Sequence, residues 1–385
     1  MENFGSNWAD ETIPLPYTEG TASARPQAVF PQWLSTAERN NDVSKQSSRR
    51  PLRIIGYALL AVVLAGVLVA TLSPWPSSLL IRTVFEAGAR ATVSEMLPSV
   101  PDSSRFDEST IDLEAASPGL TAPFFSASAS KDPLPVVVWI HGGAWISGTA
   151  DDVSPYLKMI AAEGYAAVGL NYTLSPETTY PTAIGQLTTS LGLIVERADE
   201  LGIDANRIVL AGDSAGAQLA SQLAAIITNP DYARLMSLEA PISPKQLVGT
   251  VLNCGVYDLQ SMSQLNGIFA WGFKSALWAY TGTKNWSDTS AGATMSTIDF
   301  VTTDFPPTFI SGGNGDNLTW LQSIPMSQRL NELEVDTTSL FWPADHQPAL
   351  PHEYQFHLDL DEAHTAFDET IRFLDRVTAS PTEQQ

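Results

Sequence analysis

Six short apolar runs recur along the C-terminal two thirds of the chain. They lie at 136–140, 166–170, 207–211, 248–253, 307–311 and 338–342, with helix-like stretches at about 152–163, 183–201, 214–228, 320–334 and 361–378. Continuous apolar runs of this length are typical of strands that are buried on both faces of a parallel sheet. The alternation predicts an α/β fold, a mostly parallel sheet with helices on both faces, in which function lies at the carboxyl ends of the strands.

The longest apolar stretch, residues 54–72, contains nineteen residues without a charge. This length crosses the hydrocarbon core of a bilayer as a helix, and the 53 residues before it are too many for an ordinary signal peptide. Basic residues crowd its amino side, whereas Arg82 and Arg90 lie farther away on the other side. Because basic flanks stay in the cytoplasm, the sequence predicts a transmembrane helix with a cytoplasmic N-terminus and an extracytoplasmic domain. The basic residues are Lys45, Arg49, Arg50 and Arg53.

The segments around this stretch differ in composition. Residues 1–53 are polar and aperiodic, which predicts a disordered cytoplasmic tail. Residues 73–104 begin with the helix-breaking sequence SPWP and continue with apolar residues at helical spacing, as expected for a stem or cap helix near the membrane. One domain is predicted at 105–379, where a Ser/Pro/Ala-rich link at 117–135 leads into the repeating strands. Residues 257–298 interrupt the repeat with many aromatic residues and are predicted to form a lid.

The charge of the chain excludes some classes of partner. The tail carries six acidic and six basic residues, so the whole net charge of −22 lies after it. A domain this acidic has no electrostatic attraction to nucleic acid or anionic lipid. The single cysteine, Cys254, lies in an apolar run, where a packed side chain is expected and no intrachain disulfide can form.

A candidate nucleophile lies at residues 212–216, GDSAG, between the apolar run 207–211 and a helix-like stretch. Strand, sharp turn and helix form the context of a nucleophile elbow, in which Ser214 adopts a strained backbone conformation. Side chains at Gly212 and Gly216 would collide with the neighbouring strand and helix. Because a serine hydroxyl is a poor nucleophile at neutral pH, Ser214 needs a histidine base, a carboxylate and backbone donors for an oxyanion.

Backbone donors are predicted just after the strand at 136–140. Two glycines, Gly142 and Gly143, follow His141 there and allow N–H groups to point into a cleft. With the N–H of Ala215, which directly follows the serine, they are predicted to form an oxyanion hole.

These motifs together resemble the hormone-sensitive-lipase-like branch of the α/β-hydrolases, in which a His-Gly-Gly-Gly loop precedes a Gly-Asp-Ser-Ala-Gly elbow. The resemblance covers about 105–379 and includes 171–177, NYTLSPE, which is similar to the Asp-Tyr-Arg-Leu-Ala-Pro-Glu segment of that branch. Asn171, Thr173 and Ala144 depart from the pattern. The resemblance implies an α/β-hydrolase fold with a cap, acyl-enzyme chemistry, and no metal or organic cofactor.

The acid is predicted just after a late strand, because the branch has the order serine, acid, histidine. Asp316 follows the run 307–311 in GGNGDNL, which looks like the glycine-bearing acid loop of the branch, although Trp320 stands where an aspartate is common. Asp304, Asp336 and Asp345 remain alternatives.

The base is predicted from five histidines. His141 belongs to the oxyanion loop, and His357 and His364 lie beside the acidic start of the last helix, which leaves His346 and His352. His352, in LPHEYQF, resembles the histidine segment of the branch and is preferred.

The sequence therefore predicts a membrane-anchored serine esterase or lipase with a Ser214–His352–Asp316 triad. Its partners would be a small-molecule or lipid ester and, through its own helix, the membrane. An amide hydrolase of the arylformamidase type remains an enzymatic alternative, although a soluble metabolite gives no reason for anchoring. A non-catalytic hydrolase-like ectodomain is a second alternative, which would be free to lose the triad.

Overall fold

The predicted apolar runs form six adjacent strands of one eight-stranded sheet. The computed structural model describes residues 49–379 apart from 129, 131 and 266, and leaves out the side chains of 49–52 and 269. Its strand order is β1-β2-β4-β3-β5-β6-β7-β8, in which β3 to β8 run parallel and confirm the predicted parallel sheet. The strands are β1 (Phe106–Asp112), β2 (Thr121–Ala127), β3 (Leu134–Ile140), β4 (Ala166–Leu170), β5 (Ile203–Asp213), β6 (Leu247–Asn253), β7 (Thr308–Gly312) and β8 (Thr337–Phe341).

Strands β1 and β2 are not predicted by the apolar pattern. They pair antiparallel with each other, and β2 pairs antiparallel with β4. Strand β2 lies inside the segment that was expected to be a link, so that expectation is wrong. Its core residues Phe124 and Phe125 are flanked by Pro123 and Ser126, and β1 exposes most of its side chains. Strand β1 lies at the edge of the sheet and needs few buried residues, and Pro123 and Ser126 interrupt the apolar run of β2, which explains why both patterns are weak.

Helices cover both faces of the sheet. Alternate residues of β3 point to opposite faces, so Val136 and Val138 join one buried cluster and Val137 and Trp139 join the other. The helices after α1 and α2, which are described below, are α3 (Ser154–Ala162), α4 (Thr182–Glu196), α5 (Ala198–Leu201), α6 (Ala215–Thr228), α7 (Pro230–Met236), α8 (Leu259–Met262), α9 (Gly267–Thr281), α10 (Ser290–Met295), α11 (Ile324–Glu332) and α12 (Asp361–Thr378). The predicted helix at 320–334 consists of a π-helical turn, Thr319–Ser323, followed by α11.

Helix α1 (Arg49–Leu72) contains the predicted transmembrane stretch. Among the described residues, one helical segment, Arg53–Leu72, is long and apolar enough to cross a membrane, with a mean hydropathy of 2.5. The helix begins at Arg49, five residues before the predicted stretch. Residues 1–48 of the predicted tail lie outside the described residues.

Helix α2 (Trp75–Met96) is attached to the domain by one side. Its Ile81 packs with Ala276 and Ala279 of α9 and with Ile146. Its Arg82 donates two hydrogen bonds of 2.7 Å to the carboxylate of Glu177 and one of 2.8 Å to the carbonyl of Ser175. The predicted stem helix is thereby held against the loop after β4 and against α9, which belongs, with α8 and α10, to the insertion between β6 and β7.

Candidate active site

Ser214 lies in the sharp turn between β5 and α6. Its backbone has φ 51° and ψ −117°, and its N–H donates to the carbonyl of Asn253 at 2.9 Å. Such a conformation costs on the order of 1–3 kcal/mol and persists only where its surroundings impose it. A Cβ on Gly216 would lie 1.9 Å from the carbonyl oxygen of Ile140, and one on Gly212 would lie 2.5 Å from the carbonyl carbon of Gly216. The predicted steric role of both glycines is confirmed.

The structure brings the predicted serine, histidine and aspartate together. Nε2 of His352 lies 2.9 Å from Oγ of Ser214, and its Nδ1 lies 2.6 Å from Oδ2 of Asp316. The other oxygen of this buried carboxylate accepts the N–H of Leu318 at 2.9 Å. Asp316 follows β7, and His352 follows β8, so neighbouring parallel strands deliver both side chains to the carboxyl edge of the sheet where β5 delivers Ser214.

The alternative histidines have other contacts. His346 bonds to Glu362 at 2.6 Å, and His357 bonds to Glu95 of α2 at 2.7 Å. Buried His141 stacks on Tyr172 with ring centroids 4.5 Å apart, and its Nδ1 donates to the carbonyl of Gly142 at 2.8 Å. Burial lowers the pKa of His141 to about 4, so this ring is neutral at pH 7 and fixes its loop.

The alternative acids have other surroundings. Asp336 forms an ion pair with Arg376, and Asp304 and Asp345 are exposed.

Nearby carboxylates favour the charged form of His352. Burial on its own lowers the pKa of this histidine. The charge and hydrogen bond of Asp316, together with smaller effects of Glu353 and Asp213, outweigh burial and raise the pKa to about 9. An imidazolium formed at this position is therefore well stabilised, which suits a group that must accept a proton from a serine hydroxyl.

The oxyanion loop requires one correction. The N–H of Gly142 donates to Oδ2 of Asp213 at 2.8 Å, so this amide is committed to a buried carboxyl group and is not the donor that the sequence predicts. The next two residues, Gly143 and Ala144, have φ values of 99° and 53° and line the same cavity as Ser214. Ala215 is the first residue of α6, where an N–H has no partner within the helix.

Two acidic residues of the site, Asp213 and Glu353, are not singled out by the sequence analysis. Asp213 also accepts the indole N–H of Trp139 at 2.7 Å, and a Cβ on Gly142 would contact carboxylate oxygens of both acids. Burial, followed by the charge of Glu353, raises the pKa of Asp213 well above its ordinary value. Oε1 of Glu353 lies 3.7 Å from Nε2 of His352. Glu353 could have been predicted as a residue of the site because it directly follows the candidate base, His352.

The site opens into a cavity of about 370 Å³. Its lining includes Ser214, His352 and residues of the oxyanion loop. Phe273 of α9 and one side of α2 also line it. The α2 residues are Val84, Phe85, Gly88, Ala89 and Thr92.

Among the residues that the structure describes, two groups of side chains have donor atoms close enough together to hold a metal ion. One consists of Cys254, Asp316 and His352, whose donor atoms lie within 4.8 Å of one another. A metal ion there would compete with the hydrogen bond between the histidine and the aspartate. Burial raises the pKa of the Cys254 thiol well above its ordinary value, which disfavours the thiolate that a metal requires. The second group is Glu95, His357 and Asp359.

Comparisons with known proteins agree with this architecture. The chain is 34% identical over 134 residues to the carboxylesterase NlhH of Mycobacterium tuberculosis, and the match spans 34% of this chain and 40% of that protein. Esterase B from Lactobacillus rhamnosis superposes with a TM-score of 0.67 at 23% identity, covering 79% of this chain and 96% of that one. A bacterial heroin esterase superposes with a TM-score of 0.63 at 22% identity, covering 78% and 91%.

The fold is that of an α/β-hydrolase, as the structural neighbours show. Residues 124–330, more than half of the chain, match the family BD-FAE. The chain belongs to this family.

Proposed function

We propose that the protein is a serine hydrolase of carboxylic esters that works through an acyl-enzyme. Ser214 attacks the ester carbonyl, His352 takes the proton of its hydroxyl and passes it to the leaving alcohol, and Asp316 orients the ring. Water then hydrolyses the acyl-serine by the same steps. The observation that carries the proposal is the unbroken line of hydrogen bonds, 2.9 Å and 2.6 Å long, from serine to histidine to aspartate.

The oxyanion of the tetrahedral intermediate would be held by the amides of Gly143, Ala144 and Ala215. The positive end of the α6 dipole adds to the stabilisation of this charge. The partial match to a carboxylesterase and the hormone-sensitive-lipase-like motifs support an ester as the substrate. Asp213 would set the shape of the loop through Gly142.

An ester and amide panel tests this function. Purified protein should hydrolyse p-nitrophenyl esters, and Ser214→Ala should abolish this turnover. Preference for an N-formyl aromatic amide over every ester would favour the arylformamidase alternative. Full activity in Ser214→Ala would contradict Ser214 as the nucleophile. No turnover of any substrate by the folded wild-type chain would contradict the proposal and favour a non-catalytic ectodomain.

We also propose that α1 anchors the enzyme in a membrane with the N-terminus in the cytoplasm and the catalytic domain on the other side. The uncharged length of Arg53–Leu72 and the basic residues before it support this topology. A reporter fused at Gln385 should register outside the cytoplasm, and the protein should resist carbonate extraction. A mature N-terminus near Ser73 would mean that the segment is a cleaved signal.

A further inference from the structure

The first three turns of α2 carry an exposed apolar surface. Trp75, Leu79, Leu80 and Val84 are between 44% and 62% exposed, and we call these four residues the α2 apolar face. Exposed leucines and tryptophans are individually ordinary, but four within three turns of one helix are a local concentration of exposed apolar side chains. The opposite side of α2 is the one that holds the domain, through Ser78 and Ile81.

Charge is nearly absent from this part of the chain. Between Leu72 and Glu86 the only charged residue is Arg82, and its guanidinium is engaged by Glu177. In a chain with a net charge of −22, a stretch with so few charged residues differs from the rest of the sequence. Water-facing helices normally carry charges on their outer side, so the composition fits an apolar environment for these three turns.

The chain connects this face directly to the candidate span. Helix α1 ends at Leu72 and α2 begins at Trp75, and three residue steps reach at most about 11 Å. If Arg53–Leu72 crosses a bilayer, α2 must begin within the interfacial layer of that bilayer. Trp75 then lies at the depth where tryptophans concentrate in membrane proteins.

A second group of interfacial residue types lies beside the end of α1. Lys284 donates to the carbonyl of Thr71 and lies over the ring of Trp278 at 4.3 Å. These residues line a second cavity, of about 660 Å³, together with Trp271 and Lys274 of α9. Tryptophan and lysine are the side chains that combine an apolar body with a group that reaches the polar headgroups.

The α2 apolar face also reaches the cavity that contains Ser214. Val84 belongs to both, and Phe85, the next residue, is 42% exposed and lines the cavity wall. Exposed apolar residues therefore occur along α2 from Trp75, near the end of the span, to Val84 and Phe85, which line the cavity with Ser214. A water-soluble ester would gain nothing from such a route, whereas an ester dissolved in the bilayer would remain in contact with apolar groups until it reaches Ser214.

We propose that the α2 apolar face lies in the lipid interface and that the substrate is a membrane-resident ester whose acyl chain enters along α2. This inference rests on the proposed esterase function and names the substrate class of that site. The occupant of the face is bilayer lipid, and the span that precedes the face is the reason for choosing lipid over a protein partner.

The test compares two substrates in the full-length protein reconstituted into phosphatidylcholine vesicles. One is dioleoylglycerol in the same vesicles, and the other is p-nitrophenyl acetate in the water. The double variant Leu79→Ser/Leu80→Ser should lower the ratio of lipid to soluble turnover about tenfold, because two leucines lose apolar contact. Leu235→Ser, on α7, is the matched control, since Leu235 is 58% exposed and Leu80 is 60% exposed. Its ratio should equal that of the wild type.

The outcomes separate the two proposals. Turnover of p-nitrophenyl acetate without turnover of dioleoylglycerol, or an unchanged ratio in the double variant, overturns lipid entry and leaves the esterase function standing. Turnover of neither substrate contradicts the esterase function itself.

A second measurement does not depend on activity. Cys254 is fully buried, so Leu80→Cys provides one accessible thiol for a spin label, with Leu235→Cys as the control. The label at position 80 should be relaxed by oxygen dissolved in lipid, and the label at 235 by a water-soluble nickel chelate. Equal exposure of both labels to the chelate overturns the proposal.

Discussion

The carboxyl edge of the sheet and helix α2 contribute to the same cavity in different ways. At the sheet edge, the fold fixes the catalytic side chains. Ser214 is held at φ 51°, and the buried carboxylate of Asp316 accepts a hydrogen bond at each of its two oxygens. On α2, exposed side chains such as Val84 and Phe85 line the wall, and an open space faces Gly88. The sheet edge should therefore determine how fast any ester reacts, and α2 should determine which ester arrives. Changes in the two regions should have separable effects.

The largest expected effect comes from the serine and the histidine. Ser214→Ala and His352→Ala should each lower kcat for every ester by about 10³-fold or more, because either change removes the activated nucleophile. The double variant should be little worse than either single variant, since the groups act as one unit. Steady-state kinetics on a short and a long ester checks this. If His346→Ala is the inactive variant instead, the assignment of the base is wrong.

The acid should come next in size. Asp316→Asn keeps the shape of the side chain but removes the charge that stabilises the imidazolium, and a loss on the order of 10²- to 10⁴-fold in kcat is expected. Asp345→Asn is the control, because Asp345 is exposed and lies in the loop after β8. Equal losses for short and long esters would support the division between the two regions. If Asp316→Asn loses less activity than Asp345→Asn, the assignment of Asp316 as the acid is wrong.

On α2, a single glycine offers a way to change selectivity without changing the chemistry. A Cβ on Gly88 would meet nothing within 4 Å, and Gly88 lines the cavity. Gly88→Leu should therefore fold, with a gain in helix propensity, and should lower kcat/KM for long acyl chains roughly tenfold relative to acetate. Gly185→Leu on α4 is the control, because its Cβ also meets nothing within 4 Å. A uniform loss over all chain lengths would contradict the separation.

The smallest effect concerns pH. The base must be neutral to accept a proton, so kcat/KM should rise with pH and then reach a plateau. The midpoint of this rise should reflect the pKa of His352, about 9. Glu353→Gln removes a negative charge 3.7 Å from Nε2 and should lower that midpoint by up to about one unit. If the midpoint of the pH profile stays in place or rises in Glu353→Gln, Glu353 does not raise the pKa of His352.

Much of the fold could be predicted because the central strands are buried on both faces. Runs such as 166–170 are apolar throughout, and β4 spans the same residues. Strand β1 was missed because it is an edge strand with mostly exposed residues, and β2 was missed because Pro123 and Ser126 interrupt its apolar run. The stretch predicted at 54–72 agrees with the apolar segment Arg53–Leu72, and hydropathy does not mark the basic residues from Arg49 with which the helix begins.

Motifs and the order of the strands along the chain were sufficient to predict the candidate triad residues, but not the direction of individual hydrogen bonds. Ser214, Asp316 and His352 follow separate strands, and parallel order brings such positions to one edge. The direction of an individual N–H could not be predicted in this way, because the N–H of Gly142 donates to Asp213, 71 residues away, only in the folded chain. For the same reason the approach of Glu353 to Asp213 was not visible in the sequence.

Covalent labelling tests the central claim, acyl-enzyme chemistry at Ser214, most directly. A phosphonate that mimics the tetrahedral intermediate is added to the full-length protein, and the modified peptide is located by mass spectrometry. The account predicts one adduct on Ser214, its absence in Ser214→Ala, and slow labelling in His352→Ala, which lacks the base. An adduct on another residue, or undiminished labelling of Ser214→Ala, would contradict the account.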